Sequence, residues 1–346
     1  MLYKYSEVNL FEILRQISQN FICQSTVHPM VACRQNSMRW FDIYTDVSEE
    51  ESTRLLAAAG QAELRKMEPL AGGWANSTYL LTLEDDSQLV LKLWNSKTPI
   101  EVERIIRNTC WLADHGVPTP IPLLLKDGER MLVVNDLSWM LMPYIAGGWL
   151  PTDTSSLHDI GRVQAQLHQI PVYEDIPHTL SYGHVFWERL IEDVGEQEAH
   201  APFIQKLKKE SITLKQKIPK DLPRGLIHGD LSPVNVIGRK GKVLALLDLE
   251  EICAESLALD LAMTFVQFGW KDGLPVTDSW DALLAGYQSV RLLTAAEHAS
   301  LPALHRYSIL ALAAWRYSKY VIKSPGTDLK KRFLEMVDRL DKQLPF

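Results

Sequence analysis

Residues 226–250 constrain this chain more than any other stretch. They read Leu-Ile-His228-Gly229-Asp230-Leu-Ser-Pro-Val-Asn235-Val-Ile, then Gly-Arg-Lys-Gly-Lys-Val-Leu-Ala-Leu-Leu-Asp248-Leu-Glu250. Val234-Asn-Val-Ile237 and Val243-Leu-Ala-Leu-Leu-Asp248 are apolar, β-branched runs joined by Gly238-Arg-Lys-Gly241-Lys, which predicts a hairpin. A hairpin returns the chain, so Asn235 on one arm comes close to Asp248 at the end of the other. A buried His, a capping Asp and two ordinary strands would explain any one of these residues, but not the whole spacing.

Phosphoryl transfer from a nucleotide requires such a set. One carboxylate accepts or orients the proton of the attacking hydroxyl, and an amide oxygen and a second carboxylate hold the metal that neutralises the phosphates. Mg²⁺ takes oxygen ligands and shares its sphere with phosphate and water. Asp230 fits the base, and Asn235 and Asp248 fit the metal ligands.

His-Gly-Asp-x-x-x-x-Asn followed by Leu-Asp resembles the motif of the aminoglycoside phosphotransferase and choline kinase superfamily, protein-kinase-like enzymes acting on small molecules. The resemblance spans most of residues 40–325. It implies an α+β, bilobal protein-kinase-like fold, with a small N-lobe of antiparallel sheet plus helix and a larger, mainly helical C-lobe. Protein kinases carry His-Arg-Asp and Asp-Phe-Gly; this chain has Gly229 and Asp248-Leu-Glu. Tyr44-Thr-Asp-Val-Ser, Ala282-Leu-Leu-Ala-Gly-Tyr287, Leu292-Leu-Thr-Ala-Ala-Glu297 and Leu301-Pro302 lean toward the homoserine-kinase-like (type II) branch. That branch usually places aromatic residues after the metal-binding Asp, where this chain has Leu249-Glu250-Glu251.

Upstream, Ser48-Glu-Glu-Glu51 is a capping box ahead of a helix that Gly60 ends. Met67 to Trp94 then reads strand, glycine turn at Gly72-Gly73, strand, polar turn at Glu84-Asp-Asp-Ser87, strand. Glycines at such a turn let backbone N–H groups approach phosphates; as sequence alone the stretch is also a plain hairpin. Lys92 closes Val90-Leu-Lys92, where kinase-like folds place the phosphate-binding lysine. Thr98-Pro99-Ile-Glu101 opens the next helix. By the resemblance the lysine's carboxylate partner falls on Ile105, so Glu101, one turn earlier on the same face, is the candidate partner, with a helix cap as its other reading. Pro143-Tyr-Ile-Ala-Gly147-Gly148 interrupts the strand pattern. The resemblance makes it the hinge at 142–147, with Met142 bordering the adenine pocket and the Pro143 carbonyl and Ile145 amide as its hydrogen-bonding edge.

Three regions are expected: an extension at 1–37 without assigned function (Met38 being an alternative start), an N-lobe at 38–145 and a C-lobe at 146–346. The periodicity predicts helices at Leu157–Leu167, Phe186–Val194, Ala201–Lys217, Trp280–Gly286, Thr294–Leu304 and Ser308–Tyr320. Asp260 opens another helix and is expected to brace the catalytic loop. His168 reads as a satisfied core or cap residue.

A formal charge of −7 argues against nucleic acid or an anionic membrane as partner and suits an amine-bearing acceptor. The four cysteines form no C-x-x-C pair, and no apolar run approaches a membrane span. With no basic, apolar leader at the start, the expected compartment is the cytoplasm. The expected activity is an ATP- and Mg²⁺-dependent transfer to the hydroxyl of a small amino alcohol, amino acid or aminoglycoside-like acceptor, homoserine-like in first place. Glu250, Glu251 and Glu255 are candidates for an acceptor amine. A protein-kinase-like Ser/Thr phosphotransferase and a non-catalytic nucleotide-binding scaffold remain as alternatives.

Overall fold

Alternating apolar and polar side chains build the first sheet. In β2 (Ser77–Leu83) and β3 (Gln88–Trp94), Tyr79, Leu81, Leu83, Leu89, Leu91 and Leu93 all turn to one buried face. The computed structural model describes residues 45–70, 76–195, 201–323 and 329–346. The extension at 1–37, the Met38 start and the Gly72-Gly73 turn lie outside the described residues, and Asp46–Phe346 forms one contiguous unit.

Helix α1 (Glu49–Ala58) opens with the expected capping box: Glu51 N–H donates to Ser48 Oγ at 3.2 Å and Ser48 N–H to Glu51 Oε2 at 3.0 Å. An antiparallel sheet follows. Its spatial order is β1 (Leu64–Pro69), β2, β3, β5 (Leu137–Pro143), β4 (Leu132–Val134). Just before β4, Arg130 donates from Nη1 to the Pro122 carbonyl. β3 is central, with Lys92 opposite Thr78 on one side and Met140 on the other. Between β3 and β4, α2 (Pro99–Asp114) packs Val102, Ile105 and Ile106 against Trp94 and Met140. Each such side chain contributes roughly 2 kcal/mol by leaving water.

Past Pro143 the chain becomes helical. A two-residue strand β6 (Gly148–Trp149) precedes α3 (Thr154–Leu167), α4 (His184–Asp193) and α5 (Pro202–Lys217). β7 (Arg224–Ile227) leads into the catalytic segment. There Pro233–Asn235 forms a 3₁₀ turn where the sequence suggested the start of a strand, since Pro233 has no N–H to give a ladder. β8 (Val236–Arg239) and β9 (Lys242–Leu246) make the expected hairpin. Lys240 and Gly241, with φ of 51° and 72°, supply its two-residue turn. β10 (Cys253–Ser256) returns beside β7 and runs into α6 (Leu257–Phe268).

After a small hairpin, β11 (Trp270–Lys271) and β12 (Leu274–Pro275), comes α7 (Thr277–Gln288). It lies close on α3: a Cβ at Gly286 would sit 1.8 Å from the His158 carbonyl oxygen, so only glycine permits this approach. The two helices expected at Thr294–Leu304 and Ser308–Tyr320 are one, α8 (Ala295–Tyr317), continuing through Pro302. An interior proline costs about 3 kcal/mol. Burial of Leu301, Leu304, Ile309, Leu310 and Leu312 along this helix outweighs it. A π-helical turn (Ser318–Lys323) follows, and α9 (Lys330–Arg339) packs Phe333 and Met336 into the same core.

Candidate active site

The chemistry gathers where β3 meets the segment after β7. Lys92 donates from Nζ to Asp248 Oδ1 at 2.8 Å, joining residues 156 positions apart. Its ammonium also sits 3.9 Å over the ring of Trp94. Both side chains leave the same face of β3, being two residues apart on a strand. Asp248 takes a left-handed backbone (φ 59°, ψ 57°), which Asp tolerates better than most residues, and so turns its carboxylate back toward the sheet.

Asn235 stands on the 3₁₀ turn and donates from Nδ2 to the Asp230 carbonyl at 2.9 Å and to Asp230 Oδ2 at 3.1 Å. Gln267 Nε2 lies 3.5 Å from Asp230 Oδ1. Asp230, Asn235, Asp248 and Lys92 are therefore brought together. The oxygen donors suit a hard divalent cation. With its amide nitrogen committed to Asp230, Asn235 has its Oδ1 left to offer, and Lys92 takes one oxygen of Asp248, leaving Oδ2.

Glu101 is not brought to Lys92. Its Oε2 accepts from Thr98 N–H and Oγ1, both at 2.8 Å, and the capping bonds hold its carboxyl below the usual range. The expected pairing is thus corrected to a helix cap, and Ile105 is buried in one cluster with Trp94, whose ring lies beneath the lysine.

The loop's shape comes from a single buried side chain. Asp260, on the first turn of α6, accepts from His228 N–H (3.2 Å), Gly229 N–H (2.9 Å), Gln164 Nε2 (2.8 Å) and His168 Nε2 (3.0 Å). Burial pushes the Asp260 carboxyl up, but the bonds from His168 and Gln164 outweigh it and hold it below its ordinary value. His168 is the satisfied core residue expected, its Nδ1 taking the Tyr287 hydroxyl at 2.7 Å. Tyr182 donates to the Gly229 carbonyl from α4's side. Gln164, Tyr182 and Gln267 were not singled out by sequence. The available signal was Gln164 and His168, polar at i and i+4 within an otherwise apolar helix stripe.

The carboxylates are graded by their surroundings. Burial and the neighbouring charges of Asp248, Glu251 and Glu250 push Asp230 well above the usual range. Asp248 is equally enclosed, but the Lys92 ammonium outweighs burial and holds it low. Burial and Asp248 push Glu250 up to about 7; Lys97 Nζ stands 3.7 Å from its Oε2. Glu251 accepts from the Ser181 hydroxyl, and Glu255 is paired with Arg224 at 2.5 Å. At the sheet's rim, Val90 pairs with Met142 and Leu89 with Pro143. Among the described residues, the Ile145 N–H that follows has no hydrogen-bond acceptor. No helix among the described residues is long and apolar enough to cross a membrane.

Comparison with known proteins agrees with this geometry. The model of the phosphotransferase enzyme family (APH) matches residues 66–293. A homoserine kinase of Chelativorans sp. (strain BNC1) is 31% identical over 306 residues, 86% of this chain and 94% of that protein. One from Rhizobium meliloti (strain 1021) is 28% identical over 296 residues, 84% and 90% respectively. Among solved structures, the amicoumacin kinase hAmiN, in complex with AMP-PNP, Ca²⁺ and Ami, superposes with a TM-score of 0.66 at 17% identity. That match covers 86% of this chain and 96% of the other, and shows the shared α+β, bilobal protein-kinase-like fold. A nucleotide-dependent kinase acting with a divalent metal on a hydroxyl acceptor is what this assembly of residues and relatives describes, and the chain belongs to the phosphotransferase enzyme family.

Proposed function

We propose that the chain is a cytoplasmic kinase that uses ATP and Mg²⁺ to phosphorylate a small, homoserine-like hydroxyl acceptor. The observation that carries this reading is the meeting of Lys92, Asp230, Asn235 and Asp248 across two stretches far apart in sequence. Lys92 binds the nucleotide's phosphates, and Asn235 Oδ1 and Asp248 hold the cation. A bound Mg²⁺ supplies charge neutralisation to the phosphates. The adenine edge lies at Met142, the Pro143 carbonyl and the Ile145 amide.

Asp230 orients the acceptor hydroxyl and takes its proton as the oxygen bonds to the γ-phosphorus. The bond to the β–γ bridging oxygen breaks, and ADP leaves. The bond from Asn235 Nδ2 fixes the Asp230 carboxylate for this role. Fixed donors around the reacting atoms provide positioning and electrostatics, with little covalent work for the protein. The homoserine-like acceptor is favoured by the likeness of the chain, over most of its length, to proteins named homoserine kinases.

The test is ADP release by the purified protein with Mg²⁺ and a panel of homoserine, choline, ethanolamine, aminoglycosides and sugars, repeated with Asp230→Ala. Homoserine is expected to turn over, with a loss of about 10³-fold or more in the variant, while the Kd for MgATP stays within about threefold. Retained turnover in Asp230→Ala removes Asp230 from the mechanism. MgATP binding without transfer to any acceptor favours a scaffold.

A further inference from the structure

Two lysines at the end of β3 and the start of α2 reach two acids of the catalytic segment. Lys92 Nζ meets Asp248 Oδ1 at 2.8 Å, and Lys97 Nζ stands 3.7 Å from Glu250 Oε2. The second pair is largely enclosed, with 24% of the lysine side chain and 15% of the glutamate side chain exposed. Glu250 Oε2 is buried and, among the described residues, accepts no hydrogen bond. A carboxylate oxygen in that state is unfavourable without a cation beside it, and Lys97 supplies one.

The backbone on both sides of this pair is fixed. Ahead of Lys97, Asn95 Nδ2 donates to Ser77 Oγ at 2.9 Å; directly after it, Thr98 opens α2 in the capping box with Glu101. Glu250 belongs to the 3₁₀ turn Leu249–Glu251, which touches α2. Leu249 is buried in one core with Leu246, Ile252 and, from α2, Leu112. Asp248 stands directly before this turn in a left-handed backbone (φ 59°, ψ 57°), so the direction of its carboxylate depends on how the turn is seated.

The two ion pairs have different duties. In the proposed mechanism Lys92 binds the phosphates and Asp248 the cation, so their mutual contact must loosen when the nucleotide arrives. Lys97 and Glu250 have neither task, and their contact persists while Asp248 changes partners. An exposed pair would contribute close to nothing here, but an enclosed one resists separation.

We propose that Lys97 is a positioning residue: through Glu250 it holds the turn after Asp248 against α2, and so fixes the Asp248 carboxylate for the cation. This assignment rests on the kinase reading above and adds a residue that acts through another. It also gives α2 a tie to the site where Glu101 provides none, with the polarity reversed: a lysine at the helix start meets an acid beside the metal ligand.

The test is calorimetric binding of ADP over a series of Mg²⁺ concentrations, with ADP release on the acceptor panel and thermal midpoints alongside. The proteins are the wild type, Lys97→Met, Lys97→Arg, Glu250→Gln and the double variant Lys97→Met/Glu250→Gln. Charge and positioning predict opposite signs for Lys97→Met. Removing a cation from the neighbourhood of Mg²⁺ tightens the metal by electrostatics alone, whereas a loosened Asp248 weakens it. Lys97→Met is expected to raise the Mg²⁺ concentration for half-maximal ADP binding about fivefold or more, and Lys97→Arg to stay within about twofold of the wild type. The double variant is expected to be no worse than the weaker of the two single variants, as for residues that act as one unit.

An unchanged or lowered Mg²⁺ requirement in Lys97→Met overturns the inference, and so do losses that multiply in the double variant; both leave the kinase reading standing. A fall in thermal midpoint without a shift in Mg²⁺ requirement also overturns it, marking the pair as a stability contact. The expected Mg²⁺ shift with transfer to no acceptor supports the positioning role and overturns the kinase reading alone. A wild-type protein that binds no ADP at any Mg²⁺ concentration overturns both.

Discussion

The ammonium of Lys92 rests 3.9 Å above the ring of Trp94 while its other contact, Asp248, lies 2.8 Å away. An indole face thus supports the lysine where a carboxylate from the neighbouring helix was expected. A desolvated cation–π contact is worth about 1 kcal/mol. Trp94→Leu is therefore expected to raise the KM for ATP about fivefold relative to Trp94→Phe, which keeps a ring. Equal values for the two variants would show that the ring does not position the lysine.

Glu101 supplies the complementary check. Its carboxylate caps α2, so Glu101→Ala is expected to cost about 1 kcal/mol of stability and leave the KM for ATP within about twofold of the parent. A loss of nucleotide affinity larger than the shift in the unfolding midpoint explains would return Glu101 to the phosphate site.

Gly229 occupies the left-handed region at φ 79°, and a Cβ there would meet the Glu251 carbonyl oxygen at 2.5 Å. Any side chain at this point must push the catalytic loop away from the segment that follows Asp248. Gly229→Ala is expected to lose about 2 kcal/mol of stability or more and most of the turnover, measured by denaturant titration and the ADP-release assay. An active variant of unchanged stability would mean that the loop is more accommodating than its geometry indicates. The contact also explains why the loop reads His-Gly-Asp: an arginine between the two has no room.

His305 gives the fold an acid sensitivity away from the active site. It is buried among Phe265, Trp270 and Phe346, its Nε2 has no hydrogen-bond partner among the described residues, and burial, with Arg339, pushes it down to about 3. The folded state keeps this imidazole neutral while the unfolded chain protonates it near pH 6.5. Its contribution is intact above about pH 6.5 and is lost as pH falls from there toward 3, by up to about 5 kcal/mol in all. His305→Phe is expected to flatten the pH dependence of stability between about pH 6 and 4. An unchanged slope would assign the acid lability to other groups.

Local rules carried much of this fold into view. The three S/T-x-x-E boxes at Ser48, Thr98 and Thr294 all form, because both partners of each sit within one turn. The Lys240-Gly241 turn was legible for the same reason. The shape of the catalytic loop was legible only in part: Asp260 was expected to brace it, and Gly229 N–H does bond to it, but no local period links the loop to Tyr182 or Asp260 to Gln164. The Trp94 contact follows from residues two apart on a strand sharing a face, and an aromatic ring meets a cation there in place of a carboxylate. α8 spans both helices expected at Thr294–Leu304 and Ser308–Tyr320, because His305 and Tyr307, in the expected gap, are buried with the side chains on either side.

Four donors from two separate stretches converge on Asp260, and that arrangement bears on which parts of the site can change. A loop tied into two helices cannot drift without rebuilding the core beneath it, so its chemistry is effectively frozen. Any change of acceptor is then expected to come from residues outside this loop, with Lys92, Asp230, Asn235 and Asp248 kept.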